Sequence, residues 1–298
     1  MRRGGRWGYI DVAGRIAISP QFNSAGDFSD RLALVSSGSK YGYIDRAGRF
    51  AIPAEYPIAD DFAEGLASVG IRTRGGIKRG YINENGRLVI QPQFDVADKF
   101  QGGLASIKIA GKWGFIDQAG RMVISPQYEE ASGFFEGLGL IILGGRAGFV
   151  DRTGNVVIKP QFDLAMWFKG GLAPAKIGDR WGYIDKAGNI AIKPRFDMAL
   201  LFSEELAPAS VNRKWGYLNG KGEFVIGPQF RWAREFSEGL ATVNVNGKWG
   251  YIDLSGTVVI EPQFEEAGNF NDGLALVMTK SGRGYINKAG KWIWNPTD

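Results

Sequence analysis

A glycine that recurs every 34 residues constrains this chain more than any other feature of its sequence. Gly8, Gly42, Gly80, Gly114, Gly148, Gly182, Gly216, Gly250 and Gly284 are 34 apart throughout, save one step of 38 before Gly80. Around each, the consensus unit reads G-[YF]-I-[DN]-x-x-G and continues x-x-x-I-x-P-x-[FY]-x-x-A-x-x-F-x-x-G-L-A-x-[VI]. A short turn then leads to the next aromatic-Gly pair. A fixed period of this length marks a repeat architecture, so the two ordinary domains that 298 residues would otherwise suggest are not expected. One array over residues 1–298 is expected instead. Eight full units begin near Trp7, Tyr41, Arg79, Trp113, Ala147, Trp181, Trp215 and Trp249, and a terminal half unit begins at Arg283.

The composition of the segments decides what kind of repeat this is, because paired-helix repeats of the same length exist. The segments WGYID at 249–253 and TVVI at 257–260 are short, rich in β-branched and aromatic residues, and bounded by turn signals, which predicts strands. Between such segments lies D-x-x-G, as in Asp117-Gln118-Ala119-Gly120. Asp or Asn suits the first position of a type I turn, and the Gly can take the positive φ of the bulge that follows. Asp11, Asp45, Asp117, Asp151, Asp185 and Asp253, with Asn83, Asn219 and Asn287, are therefore read as turn formers rather than catalysts. G-L-A-x-V predicts a third strand, joined to the next unit through turns such as Asn246-Gly247. In P-x-F-x-x-A-x-x-F, Phe162, Ala165 and Phe168 fall three apart, which suits a short 3₁₀ turn or a compact packed loop. Each unit is then three antiparallel strands plus that loop, unable to bury its aromatic face without neighbours. The fold expected is all-β, an open twisted array of three-stranded units. Nine aromatic-Gly hairpins against eight G-L-A-x-V strands favour it over the alternative, a closed propeller-like ring.

The segments Lys112-Trp-Gly-Phe-Ile-Asp117, Arg180-Trp-Gly-Tyr-Ile-Asp185, Lys214-Trp-Gly-Tyr-Leu-Asn219 and Lys248-Trp-Gly-Tyr-Ile-Asp253 resemble the WG, or KWG, repeat of bacterial proteins. The resemblance extends over essentially the whole chain. It implies an all-β repeat protein and brings no family catalytic residues to transfer. The second unit departs most, with Pro53 one place early and four residues inserted before Gly80.

Histidine and cysteine are both absent. That removes thiol nucleophiles, histidine general bases, disulfides and nearly every zinc site, so neither a metal nor a cofactor is expected. Only carboxylates remain for catalysis. Asp60-Asp61, Glu129-Glu130, Glu204-Glu205 and Glu265-Glu266 would serve a glycosidase only if two of them faced each other across a cleft. The net charge of +5 is spread evenly along the chain, which disfavours a dedicated nucleic-acid binder. No apolar run is long enough to span a membrane and no signal peptide is visible, so a cytoplasmic location is the default expectation.

In a repeat protein the consensus builds the scaffold, and specificity belongs to positions that depart from it on one face. Trp7, Trp113, Trp181, Trp215 and Trp249 fill the consensus slot and are read as core, while Trp292 and Trp294 are expected to close the C-terminal end of the stack. Trp167 and Trp232 fall instead in the packed loop, where other units carry polar or small residues. Leu164, Met166, Met198, Leu200 and Leu201 join them in consecutive repeats. These seven residues are the candidate partner-binding surface, with local core packing as the alternative. Pro174 and Pro208, within the third strand nearby, are expected to weaken its ladder. A second, weaker candidate is a basic row for anions: Arg15, Arg49, Arg87 and Arg121 at one turn position, with Arg72 and Arg74 in the insertion. The function expected is a non-catalytic binding or scaffold protein, with a protein or peptide partner ranked first. A glycan partner is the alternative and a carboxylate-dependent glycosidase the third reading.

Overall fold

A computed structural model describes residues 1–297. Among them are 35 strands and no helix. The strands form nine antiparallel sheets, eight of four strands and one of three. The expected three-stranded unit is therefore corrected. The stretch read as a 3₁₀ turn or compact loop is extended: Ile58–Ala59, Val96–Ala97, Met198–Ala199 and Trp232–Ala233 are short strands that pair with the G-L-A-x-V strand and complete each sheet. A representative blade is Trp232–Ala233, Leu240–Val245, Lys248–Asp253 and Val258–Phe264, hydrogen-bonded in that order.

Blade and sequence unit are out of phase. Each blade takes its first two strands from the end of one repeat and its last two from the start of the next. The N-terminal sheet, Arg2–Arg3, Arg6–Ile10 and Ile16–Phe22, has Arg2–Arg3 where other blades have G-L-A-x-V. This accounts for nine aromatic-Gly hairpins against eight G-L-A-x-V strands without any open end. The chain divides into two compact units. One holds Met1–Gly4, Ile10–Ile16 and the stretch from Phe162 onward; the other holds Gly5–Tyr9 and Ala17–Gln161. Within the first unit the opening hairpin turn packs on the last strand, so closely that a Cβ on Gly14 would lie 2.1 Å from the Ile293 carbonyl oxygen. The open array is thereby overturned: the fold is a closed nine-bladed β-propeller. Trp292 sits edge-on to Phe264 at 6.1 Å, part of a joined blade rather than the cap of a free end.

The repeat consensus now has physical reasons. In the WG strand, Trp215 pairs with Phe230 and Tyr217 with Ile226, so a step of two residues on one strand spans a step of four on the other. The bulge carries the Pro of I-x-P-x-F, which has no N–H to give the ladder. The bulged backbone folds over Gly216, where a Cβ would lie 2.4 Å from the Ile226 carbonyl oxygen. One residue on, Tyr43, Tyr81, Tyr183, Tyr217 and Tyr251 are at most 1% exposed. Each donates its hydroxyl to the backbone carbonyl 17 residues later, on the residue just after the first strand of the next blade, at 2.7–2.8 Å. Its ring packs on the second Phe of the loop motif, as in Tyr217–Phe236 at 4.8 Å. Aromatic burial and a satisfied polar tip thus join neighbouring blades in one residue.

The hairpin turns behave as the sequence predicts. Gly120 donates to the Asp117 carbonyl (2.9 Å) at φ 77°, and the Asp117 carboxylate accepts from the backbone N–H groups of Ala119 and Arg121. At Asp151 the hydroxyl of Thr153 and the amide of Asn155 hold the carboxyl down at about 2. Asp11, Asp45, Asp185 and Asp253 are also lowered by hydrogen bonds from their own turns. A carboxyl depressed in the folded state binds fewer protons than in the unfolded chain, so its stabilisation is complete above the unfolded value near 4 and lost as pH falls through the folded one. The melting temperature is therefore expected to fall progressively from about pH 4 towards pH 2, and Asp151→Asn to make that fall shallower. A flat profile over this window would contradict the role given to the turn carboxylates.

Candidate binding surface

The variable loop positions lie on the short first strand of each blade and just beyond it. Register places those on the strand in a row with the consensus slot: Met198 faces Ser210 and Ser210 faces Trp215, while Trp232 faces Asn244 and Asn244 faces Trp249. Residues directly opposite in antiparallel strands share a face, so each row presents one side of its blade.

Trp181 and Trp215 are 6% and 4% exposed and belong to the core. Met166 and Met198 pack against the cluster around Trp181, and Met198 and Leu200 against the cluster around Trp215. The Trp232 ring lies 5.0 Å from that of Trp215, tilted by 49°. The seven candidates therefore divide. Leu201 is 8% exposed and is a core residue, so it lines no surface. Met166, Met198 and Leu200 are half-buried. Leu164, Trp167 and Trp232 remain 51%, 37% and 46% exposed. Shared packing links Met166, Met198, Leu200 and Trp232 across three blades of the first unit, and Leu164 and Trp167 are exposed beside Met166 in its own loop. Pro174 and Pro208 do not disturb this strip: each keeps its partner, Tyr183 and Tyr217, and each carbonyl accepts from the loop before it, at the Met166 and Leu200 N–H groups, at 2.9 Å.

At the positions of Met166 and Trp167 two repeats of the other unit carry charge, whereas the position of Leu164, Met198 and Trp232 holds Ile58 and Val96 there. Asp60 meets Arg79 at 2.7 Å and Asp61 meets Lys99 at 2.7 Å. Asp98 accepts from the Ser106 hydroxyl at 2.5 Å, and burial pushes its carboxyl above the usual range.

The remaining sequence candidates find structural partners. Arg15, Arg49 and Arg121 return their guanidinium groups to the carboxylates of their own turns, Asp11, Asp45 and Asp117, at 2.7–2.8 Å. The anion row is thereby locally neutralised. Arg87 follows Asn83 and bonds to that turn through its backbone: its N–H donates to the Asn83 side-chain oxygen and its carbonyl accepts from the Asn83 N–H. Arg72 and Arg74 are exposed on the hairpin that the insertion lengthens, where Arg72 faces Ile77. Among the paired acids, Glu129 binds the N–H groups of Gly144 and Gly145, Glu204 that of Gly239, and Glu265 the Lys248 ammonium. Sequence reading passed over Arg234 and Arg283, which line a cavity in the last blades. Their signal was present, since Arg283 occupies a slot that holds Trp in five repeats.

No helix of the described residues is long and apolar enough to cross a membrane. The fold is similar to that in a crystal structure of a eukaryotic initiation factor, at 12% identity and TM-score 0.63, covering 96% of this chain and 92% of that one. At that identity the likeness concerns the fold alone. A structure of Kluyveromyces lactis Hsv2p aligns at 7% identity over 65% of this chain and 74% of that one, with TM-score 0.44, too distant to argue from. No curated protein matches the sequence significantly. The family model of the WG containing repeat matches residues 7–41, 41–71, 80–113, 113–146, 148–181, 181–215, 215–249 and 249–281. With eight tandem matches over most of its length, the chain belongs to the WG containing repeat family.

Proposed function

We propose that this is a non-catalytic binding or scaffold protein whose partner, a protein or peptide, docks on the strip formed by Leu164, Trp167 and Trp232 with the half-buried Met166, Met198 and Leu200. The observation that supports the reading is a contrast between repeats. Where two repeats carry Asp60-Asp61 and Asp98-Lys99, two later ones carry Met166-Trp167 and Leu200-Leu201, and Trp232 follows in the next repeat at the position of Leu164 and Met198, so that two indoles are left exposed. Exposed apolar patches with polar rims mark interaction sites, and Trp is enriched among the residues that dominate them. A glycan is the second reading, favoured by the tilted Trp215–Trp232 pair, whose outer ring is 46% exposed and available to stack on a sugar. The partnered carboxylates above argue against a free acid pair for glycoside hydrolysis.

Peptides selected by display against the immobilised protein test this. They are expected to bind Trp167→Ser/Trp232→Ser at least tenfold more weakly than wild type, about 1.4 kcal/mol or more. Equal affinity for both would refute the docking site, and selection of no peptide beside saturable glycan binding would move the reading to the glycan.

A further inference from the structure

The last blade departs from the repeat at two places, and a side chain of the preceding blade meets them. Its strands are Glu266–Ala267, Leu274–Thr279, Gly282–Asn287 and Trp292–Thr297. Arg283 stands in the slot that Trp fills in five repeats. Gly268 stands where the three preceding repeats carry Met166, Leu200 and Arg234. Glu266 faces Met278 and Met278 faces Arg283, one row across the blade. A Trp at 283 and a longer side chain at 268 would fill the space beside that row. With Arg and Gly there, a cavity of about 220 Å³ remains, its lining including Arg234, Glu266, Gly268, Met278 and Arg283.

The charges in this cavity are not spent on one another. No ion pair within 4.0 Å joins Arg234, Arg283 or Glu266 to an opposite charge among the described residues, whereas the adjacent Glu265 is taken by Lys248 at 2.7 Å. Arg234 lies over the Trp249 ring with its guanidinium carbon 5.1 Å from the centroid. That cation–π contact restrains a planar fork without neutralising it.

We propose that the cavity is an oxyanion site, taking a small ligand or a ligand's end group that carries a carboxylate or phosphoryl. Two guanidiniums against one carboxylate leave the lining net positive. Arginine forks match the oxygens of carboxylate and phosphoryl groups, two N–H groups at a time. The volume lies below the several hundred Å³ usual for drug-sized ligands, which limits the occupant to a compact group. Met278 and Leu276 supply the apolar wall against which its carbon skeleton rests. This site is independent of the apolar strip, and either can stand if the other falls.

Isothermal titration with inorganic phosphate and with succinate, at ionic strength held constant with chloride, tests the assignment. Wild type is expected to bind at least one of the two at a single saturable site. Binding to phosphate alone assigns a phosphoryl ligand, and binding to succinate alone a carboxylate. Arg283→Trp, which restores the residue common at that slot, and Arg234→Gln are each expected to weaken binding at least tenfold. Arg72→Gln, on an exposed hairpin outside the cavity, is expected to leave it unchanged. Melting curves verify that each variant is folded. No saturable binding by wild type, wild-type affinity in either cavity variant, or an equal loss in Arg72→Gln overturns the proposal.

Discussion

Gly216→Ala is expected to destabilise the protein by about 3 kcal/mol, the upper end of the usual range for forcing extra volume into a packed site. The reason is the identity of what a methyl group would strike. The added carbon would lie 2.4 Å from the Ile226 carbonyl oxygen and 2.8 Å from the Pro228 nitrogen, both backbone atoms of the bulged strand. No side-chain rotation relieves such a contact, so the WG strand and the I-x-P strand must separate, and the Trp215–Phe230 and Tyr217–Ile226 pairs with them. Gly227→Ala is the matched control. It lies on the same bulge, with nothing within 4 Å of its added carbon and no positive φ, and is expected to change stability by no more than about 0.5 kcal/mol. Urea unfolding of both variants measures the difference. Similar costs for the two would remove the bulge-over-glycine contact as the reason for the WG motif.

The second large effect separates two tryptophans that touch. Trp215→Ala is expected to cost about 3–5 kcal/mol, as truncation of a buried aromatic does. Trp215 is 4% exposed and packs in a cluster with Phe230, Phe236 and Ile252. Trp232→Ser removes the exposed partner of the same ring pair and is expected to cost only about 1 kcal/mol, the worth of one aromatic contact. The order reverses for binding, where loss of Trp232 is the more specific defect in a folded protein. Chemical denaturation and affinity measured on the two variants check both halves. If the two truncations cost the same, Trp232 is core, and the surface reading fails with it.

The legible part of the fold was local. Asp117-Gln118-Ala119-Gly120 predicts its own turn because the carboxylate and the positive-φ glycine act within five residues. The strand WGYID likewise carries its own β-branched and aromatic signal. What could not be read locally was pairing across the repeat boundary. Trp232-Ala233 is only two residues long and its counterparts range from Ser24-Ala25 and Glu130-Ala131 to Ile58-Ala59 and Leu164-Ala165, so no shared composition beyond the Ala identifies a strand. It becomes one because its partner, Asn244-Val243, offers it backbone groups. Once that strand is missed, the blade loses its fourth member; the counting argument for an open array fails separately, because Arg2–Arg3 stands in place of a ninth G-L-A-x-V strand. The meeting of Gly14 with Ile293 joins residues almost a chain length apart, and no periodicity encodes it.

The candidate surface was legible for a different reason. Repeats serve as internal references, so Trp167 stands out against Asp27 and Asn269, and Trp232 against Ser24 and Glu266, which occupy the same places in other units. Depth was not legible. Leu200 and Leu201 are adjacent and equally apolar, yet only Leu201 is buried, because which neighbour turns inward depends on how the loop meets the preceding blade. Arg283 gives no sign of a cavity in the sequence, because the space beside it depends also on Gly268 and on Arg234 of the preceding blade.

Amide hydrogen exchange on the complex with a selected peptide tests the central claim most directly. Docking on the strip predicts slowed exchange at residues 164–167, 198–201 and 232–234, with rates elsewhere in the chain as in the free protein. Slowed exchange confined to residues outside those segments, or absent altogether from a saturated complex, would contradict it.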